Sequence, residues 1–432
     1  MEGEMLARSF EVPSKHENSA SRRTFLSTLA NLSFISTLPA TASTLAKSVN
    51  VDSATKAATT DSDVGSLFPF IQSQAPREFP LSFLRGEHKD LINWKKRARS
   101  QLLDLLHYHP PTVKPMPEVV ERVDQGEYIR EKVWFNTTPE LRVPAYVLVP
   151  KNSSKPLPGI VALHDHGGFY LWGKEKIVAL EQEHPAVTRF KQQSYAGRSI
   201  ANELVKQGYV VLVIDMFYWG ERRMLLDSDP SDWRDRSLTL TDERVSEFNR
   251  RAAQNEQLVG RTIYSAGFTW SGVMFWDDIR SVDYLISRPE VDPKRIACVG
   301  LSVGALRSIH LAALDDRIKA AVAVGWMASF PAQLRRQVVH SIGFTKLVPG
   351  LYRYLDYPDV ASLAMPAALL VINGSQDELF NLDGVHTSFE KLQACYAKAR
   401  VPEKCRTRLY DAPHEFNQQM QAEAWDWLRK WL

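Results

Sequence analysis

The sequence predicts an α/β fold with a mostly parallel central sheet, helices on both faces and cap insertions. Three observations carry this reading. Short apolar runs at 159–163, 209–214, 296–301 and 366–374 lack polar alternation, as strands buried on both faces do. Stretches with helical spacing separate them, and strand alternating with helix is the doubly wound pattern. Two runs with polar alternation, 128–135 and 143–149, precede the apolar ones and read as opening antiparallel strands with a turn at Thr138, Pro139 and Glu140.

The elements follow in order. Residues 84–107 read as a helix because Leu91, Trp94 and 102–106 recur at helical spacing, and the prolines between Pro110 and Pro117 end it. After the opening strands come the strand at 159–163, a helix at 197–206 and the strand at 209–214. The connection 216–273 is too long for a simple strand-to-helix loop and is expected to carry extra helices, and 326–361 is a second such excursion. Loops at the carboxyl ends of strands line the ligand crevice of open α/β sheets. His166, Phe169, Trp219, Arg222, Trp270 and Trp326 are therefore candidate pocket residues, with packing of the insertions as the competing role for each.

The run from Ile296 carries the most chemistry. An apolar strand leads into Gly300, Ser302 and Gly304 at Gly-x-Ser-x-Gly spacing, and a helix of small and apolar residues follows. This is the nucleophile elbow of a serine hydrolase: the glycines let strand and helix approach, and Ser302 sits at the tip. A serine needs a base held by an acid, and in this arrangement both follow it in the chain. Asp377 lies just past the strand 366–374 and is placed to orient an imidazole. Helix capping is its alternative role, and Glu378 and Asp383 are rival acids. His414 sits in the loop after the final strand, 406–410, and is the expected base, with His386 the lesser candidate.

The oxyanion hole draws on the backbone N–H of Val303, in the first turn of the elbow helix, and on that of Gly168 or its neighbour Phe169. The latter pair follows the strand 159–163 in the run His164, Asp165, His166, Gly167, Gly168. A metal site built from His164, Asp165 and His166 is the competing reading, without a further ligand cluster to support it; no metal and no organic cofactor are expected.

Taken together, these motifs resemble bacterial α/β-hydrolases related to the acetylxylan-esterase-like and dienelactone-hydrolase-like groups. The residues that carry the resemblance are His164 to Gly168 with Gly173, Lys174 and Lys176, the segments 276–285 and 312–320, the elbow, and the Asp377 and His414 loops. It spans 67–432 and implies the fold and a Ser302, Asp377, His414 triad. Acetylxylan esterases of this kind tend to carry Gln after the nucleophile and glucuronoyl esterases Arg, where this chain has Val303, so a sugar ester is implied only loosely.

The N-terminus adds an address. Arg22 and Arg23, then Phe25 and Leu26, a moderately apolar stretch and small residues around Ala40 and Ala42 resemble a twin-arginine export signal over 1–42. A polar linker, 43–66, and one domain, 67–432, follow. Export to the periplasm or outside is expected, with membrane contact only through export or an uncleaved signal. A net charge of +3 without a basic, aromatic-interleaved stripe speaks against nucleic acid as a partner. Cys298 is expected to be buried, while for Cys395 and Cys405 a bridge in an oxidising compartment and two free thiols both stay open.

The expected function is hydrolysis of carboxylic esters through an acyl-enzyme, with small-molecule or carbohydrate esters, acetyl esters among them, as substrates. A peptidase or amidase, a lactone or dienelactone-type hydrolase, and a catalytically silent binding protein on the same scaffold stay open.

Overall fold

The computed structural model of the chain describes residues 67–151, 153–334 and 341–432. The expected signal and linker lie outside the described residues. Among the described residues nine strands form one sheet: β1 (Glu118–Asp124), β2 (Tyr128–Asn136), β3 (Arg142–Pro150), β4 (Leu157–Leu163), β5 (Val210–Ile214), β6 (Val291–Leu301), β7 (Ile318–Val324), β8 (Ala368–Gly374) and β9 (Cys405–Tyr410). Their order is β1-β2-β3-β5-β4-β6-β7-β8-β9. The pairs β1–β2, β2–β3 and β3–β5 are antiparallel, and every pair from β5 to β9 is parallel. The mixed, mostly parallel sheet expected from the sequence is therefore present.

The helices are α1 (Leu67–Gln74), α2 (Leu91–Leu106), α3 (Pro185–Tyr195), α4 (Ile200–Lys206), α5 (Ser231–Asp235), α6 (Asp242–Ser265), α7 (Trp270–Ile286), α8 (Val303–Leu314), α9 (Phe330–Gln333), α10 (Tyr357–Ser362), α11 (Leu382–Lys398) and α12 (Gln418–Trp431). Successive strand residues serve opposite layers. Val161, Leu163, Cys298, Ala321 and Leu369 pack with α2, α7, α8 and α11. Ile160, Ala162, Val299, Val322 and Leu370 pack instead with α4 and α12.

Among the differences from the sequence reading, two helix boundaries and one extra strand have a local reason. α2 begins at Leu91, not residue 84, because the Asp90 carboxylate accepts the Asn93 N–H at 2.7 Å and caps the helix there. α4 starts at Ile200 after the left-handed Gly197. β1 was not expected: Glu118, Glu121, Arg122 and Asp124 make it a charged edge strand that buries almost nothing, so it carries no apolar signature. The insertion 216–273 carries α5, α6 and the start of α7, and 326–361 carries α9 and most of α10.

Candidate active site

The elbow follows from close approach. A Cβ on Gly304 would lie 2.0 Å from the Leu163 carbonyl oxygen, and one on Gly300 would lie 2.4 Å from the Gly304 carbonyl carbon. Only glycine lets α8 start against the ends of β4 and β6. Between them Ser302 takes φ 57° and ψ −122°, a conformation that costs a non-glycine residue about 1–3 kcal/mol. Its N–H donates to the Val324 carbonyl at 2.8 Å, which pins the tip to the end of β7. Ser302 is 8 % exposed. Val303 is the first residue of α8, so its N–H has no helical acceptor.

Asp377 and His414 meet. The loops after β8 and β9 are stitched together, with the Ser375 N–H donating to the Tyr410 carbonyl at 2.7 Å and the Gln376 N–H to the Ala412 carbonyl at 3.0 Å. Asp377, buried, accepts the Leu379 N–H on Oδ1 at 3.0 Å and presents Oδ2 to His414 Nδ1 at 2.6 Å. The opposite ring nitrogen, Nε2, is buried and has no protein partner among the described residues. The imidazole lies against Gly325, where a Cβ would stand 3.0 Å from its Cε1 and 3.4 Å from Leu301 Cδ1. Gly325 directly follows β7, and Leu301 directly precedes Ser302. The rivals do not converge: Glu378, Asp383 and His386 are exposed, and Asn381, not Asp377, caps α11.

The segment after β4 is wired differently from expectation. The Gly168 N–H donates to His166 Nδ1 at 3.0 Å and the Phe169 N–H to the His166 carbonyl at 3.3 Å, so both alternative donors expected from this segment are engaged. Gly167 N–H has no acceptor among the described residues. The Lys176 ammonium takes the Asp165 and His166 carbonyls at 2.9 Å each. In a trans peptide the N–H points opposite to the carbonyl, so Gly167 N–H faces away from Lys176.

Both histidines of this segment are neutral tautomers fixed by their partners. His166 accepts on Nδ1 and donates from Nε2 to Glu256 Oε1 at 2.8 Å, and burial lowers its pKa. His164 accepts the Met216 N–H on Nε2 at 3.0 Å, leaving Nδ1–H to donate to the Asp165 carbonyl at 2.8 Å, and burial lowers it well below the ordinary histidine value. With all four ring nitrogens engaged, His164 and His166 do not share a metal. A carboxylate trio, Glu175, Asp215 and Glu221, lies behind them. The buried Lys174 ammonium fills its centre, 3.1 Å from Glu175, 2.8 Å from Asp215 and 2.5 Å from Glu221, and Arg236 pairs with Glu175 at 2.9 Å. A cation is already built into that cluster.

The expected pocket residues divide. Trp326, next to Gly325, sits 5.5 Å edge-on from Phe380, whose ring is 6.4 Å from His414. His166 is half-buried beside Glu256. Phe169 stacks flat on Phe190 at 5.0 Å. Trp219 and Trp270 are 0 % exposed and belong to the packing of the insertion. Arg222 is committed to Asp277 at 2.7 Å and to the Asp215 carbonyl at 3.2 Å. For these last three the insertion core, not a ligand, explains the side chain. Cys395 and Cys405 are free thiols, and Cys298 is buried. Glu256 and Lys346, which face this region, carry no sequence signal: one sits in a long charged helix, the other in an irregular stretch.

Known proteins share this fold. The pattern of the dienelactone hydrolase family matches residues 194–426, more than half of the chain, and that of an abhydrolase family matches 74–234. A Bacillus subtilis (strain 168) protein described as "Putative hydrolase YtaP" is 27% identical over 338 residues, covering 78% of this chain and all of that one. Among solved structures, a "putative acetyl xylan esterase" from Bacteroides fragilis superposes with TM-score 0.62 at 18% identity, over 81% of this chain and 83% of its own. A glucuronoyl esterase from Solibacter usitatus gives 0.56 at 14%, over 83% and 99%. At such identities the structural likeness speaks to the fold.

Proposed function

The chain belongs to the dienelactone hydrolase family, and on that premise we propose that it is a serine esterase working through an acyl-enzyme. One observation carries the reading: His414 is oriented by Asp377 at 2.6 Å through Nδ1, while its Nε2 is left without a protein partner among the described residues, at the sheet edge where Ser302 emerges. That is the state a general base needs.

In the mechanism, His414 Nε2 takes the Ser302 proton as Oγ attacks the ester carbonyl. Asp377 holds the tautomer and stabilises the imidazolium. The oxyanion is met by the Val303 N–H and, in place of Gly168, by the Gly167 N–H; a donor of this kind is worth about 10²–10³ in kcat. The alcohol leaves with the His414 proton, and water then repeats the sequence on the acyl-enzyme. Membership of the dienelactone hydrolase family also favours lactones as substrates, since ring opening is the same acyl transfer with the alcohol still attached. Carbohydrate esters are proposed as one substrate class because acetyl xylan and glucuronoyl esterases share the fold. Export by the twin-arginine route is proposed from the Arg22, Arg23 motif.

The test is turnover of p-nitrophenyl acetate, butyrate and octanoate, a γ-lactone and a matched anilide, beside Ser302→Ala. Ester turnover lost in the variant supports the reading. Equal rates in both proteins overturn it, and anilide preferred to ester makes the protein an amidase.

A further inference from the structure

The two insertions each deliver one charged side chain to the same space beside the site. Glu256, on α6, uses Oε1 for two contacts, His166 Nε2 and the Tyr170 hydroxyl, each at 2.8 Å. Its Oε2 has no hydrogen-bond partner among the described residues. The ammonium of Lys346, from the second insertion, is half-buried and has neither a hydrogen-bond nor an ion-pair partner among them. A Cβ placed on Gly343 would lie 3.7 Å from Glu256 Oε2 and 3.9 Å from Lys346 Nζ, so both groups face one gap floored by a residue without a side chain. They do not close that gap into an ion pair. Burial lowers the Lys346 pKa while Glu256 opposes the shift.

This gap lies against the proposed reaction centre on two sides. His166 ties Glu256 to the loop after β4, next to the elbow. Trp326, whose ring centroid is 5.9 Å from Lys346 Nζ, follows Gly325, against which His414 lies.

We propose that Glu256 and Lys346 form a subsite for a pair of neighbouring hydroxyls on the alcohol half of the substrate, as on a sugar ring. One hydroxyl donates to Glu256 Oε2, the other accepts from Lys346 Nζ, and Trp326 closes the apolar side. A carboxylate-bearing substrate fits less well, because an anion drawn to Lys346 meets Glu256 Oε2 across the same gap. A plain hydrocarbon would leave both charges without partners. The inference rests on the esterase reading and narrows it to polyhydroxyl esters.

The experiment measures kcat/KM for a monoacetylated methyl β-xylopyranoside, a monoacetylated methyl glucuronopyranoside and cyclohexyl acetate. The proteins are wild type, Lys346→Met, Glu256→Gln and Ser302→Ala. The amide introduced by Glu256→Gln keeps an oxygen for His166 and Tyr170 but replaces the free acceptor with a donor. In wild type the xyloside is preferred to cyclohexyl acetate. That preference falls about tenfold or more in Lys346→Met and also in Glu256→Gln, the size of one lost hydrogen bond to a charged group. An unchanged preference in both variants overturns the subsite while leaving the esterase intact. A wild-type preference for the glucuronoside that Glu256→Gln strengthens and Lys346→Met abolishes also overturns it, in favour of an anion site. Failure of the esterase reading is separately visible as cyclohexyl acetate turnover that survives Ser302→Ala. Thermal melts of each variant distinguish a lost preference from a lost fold.

Discussion

Asp377 Oδ2 and His414 Nδ1 are 2.6 Å apart, and the two residues belong to loops that follow neighbouring parallel strands, β8 and β9. The contact fixes which nitrogen of the proposed base is free. Asp377→Asn keeps the shape and an acceptor for the Leu379 N–H. Its amide, however, turns a donor toward Nδ1 and shifts the ring proton to Nε2. Ester kcat is expected to fall by about 10⁴ with the melting profile nearly unchanged. A loss below tenfold in steady-state kinetics would remove Asp377 from the mechanism.

Gly325 holds His414 in place by lacking a side chain. It has φ 66°, and an added Cβ would stand 3.0 Å from His414 Cε1. Gly325→Ala is expected to cost about 1 kcal/mol in stability through the left-handed backbone, yet to lower kcat about 100-fold by displacing the imidazole. Urea unfolding and ester kinetics on the same preparation separate the two effects. Activity within a factor of two of wild type would mean that the ring has room to shift.

The elbow helix is anchored by a buried ion pair. Arg307 and Asp278 are both 0 % exposed and joined by two hydrogen bonds of 2.6 and 3.0 Å. Arg307→Met leaves a carboxylate buried alone and is expected to cost about 3–5 kcal/mol. The double variant with Asp278→Leu should recover much of that loss. Chemical denaturation tests this, and equal stability of the single and double variants would contradict it.

His310 gives the fold a pH signature. It stacks on Phe275 at 3.9 Å and donates from Nδ1 to the Leu306 carbonyl, and its buried Nε2 has no partner among the described residues. Burial pushes its pKa down to about 4 from 6.5. Between those values the unfolded chain holds the proton that the folded chain refuses. The neutral ring therefore costs nothing above pH 6.5, and stability is lost as pH falls toward 4. The loss at pH 4 is about 3 kcal/mol. His310→Phe should flatten the pH dependence of the urea midpoint by that amount over this window. An unchanged pH profile would contradict it.

The parts of the site legible in the sequence were those that backbone position alone determines. Ser302 and Asp377 each follow an apolar strand and His414 follows the last strand of the sheet, so strand order brings their loops to the carboxyl end of one sheet. The pairing of His166 with Glu256, ninety residues away, depends on how a charged insertion helix folds back, and no periodicity encodes that. The same holds for the engagement of Gly168 N–H by His166, the contact because of which Gly167 is proposed as donor in its place. Trp219 and Trp270 look like pocket aromatics in the sequence because the insertion that buries them has no register of its own to read. The charged β1 escapes for the opposite reason, since an edge strand needs no apolar face.

The central claim is that Ser302 is the nucleophile. A fluorophosphonate probe followed by peptide mass mapping tests it most directly. The account predicts one stoichiometric adduct on Ser302, absent in Ser302→Ala and slowed by several orders of magnitude in His414→Ala. An adduct on another residue, or none on a protein that still turns over esters, would contradict it.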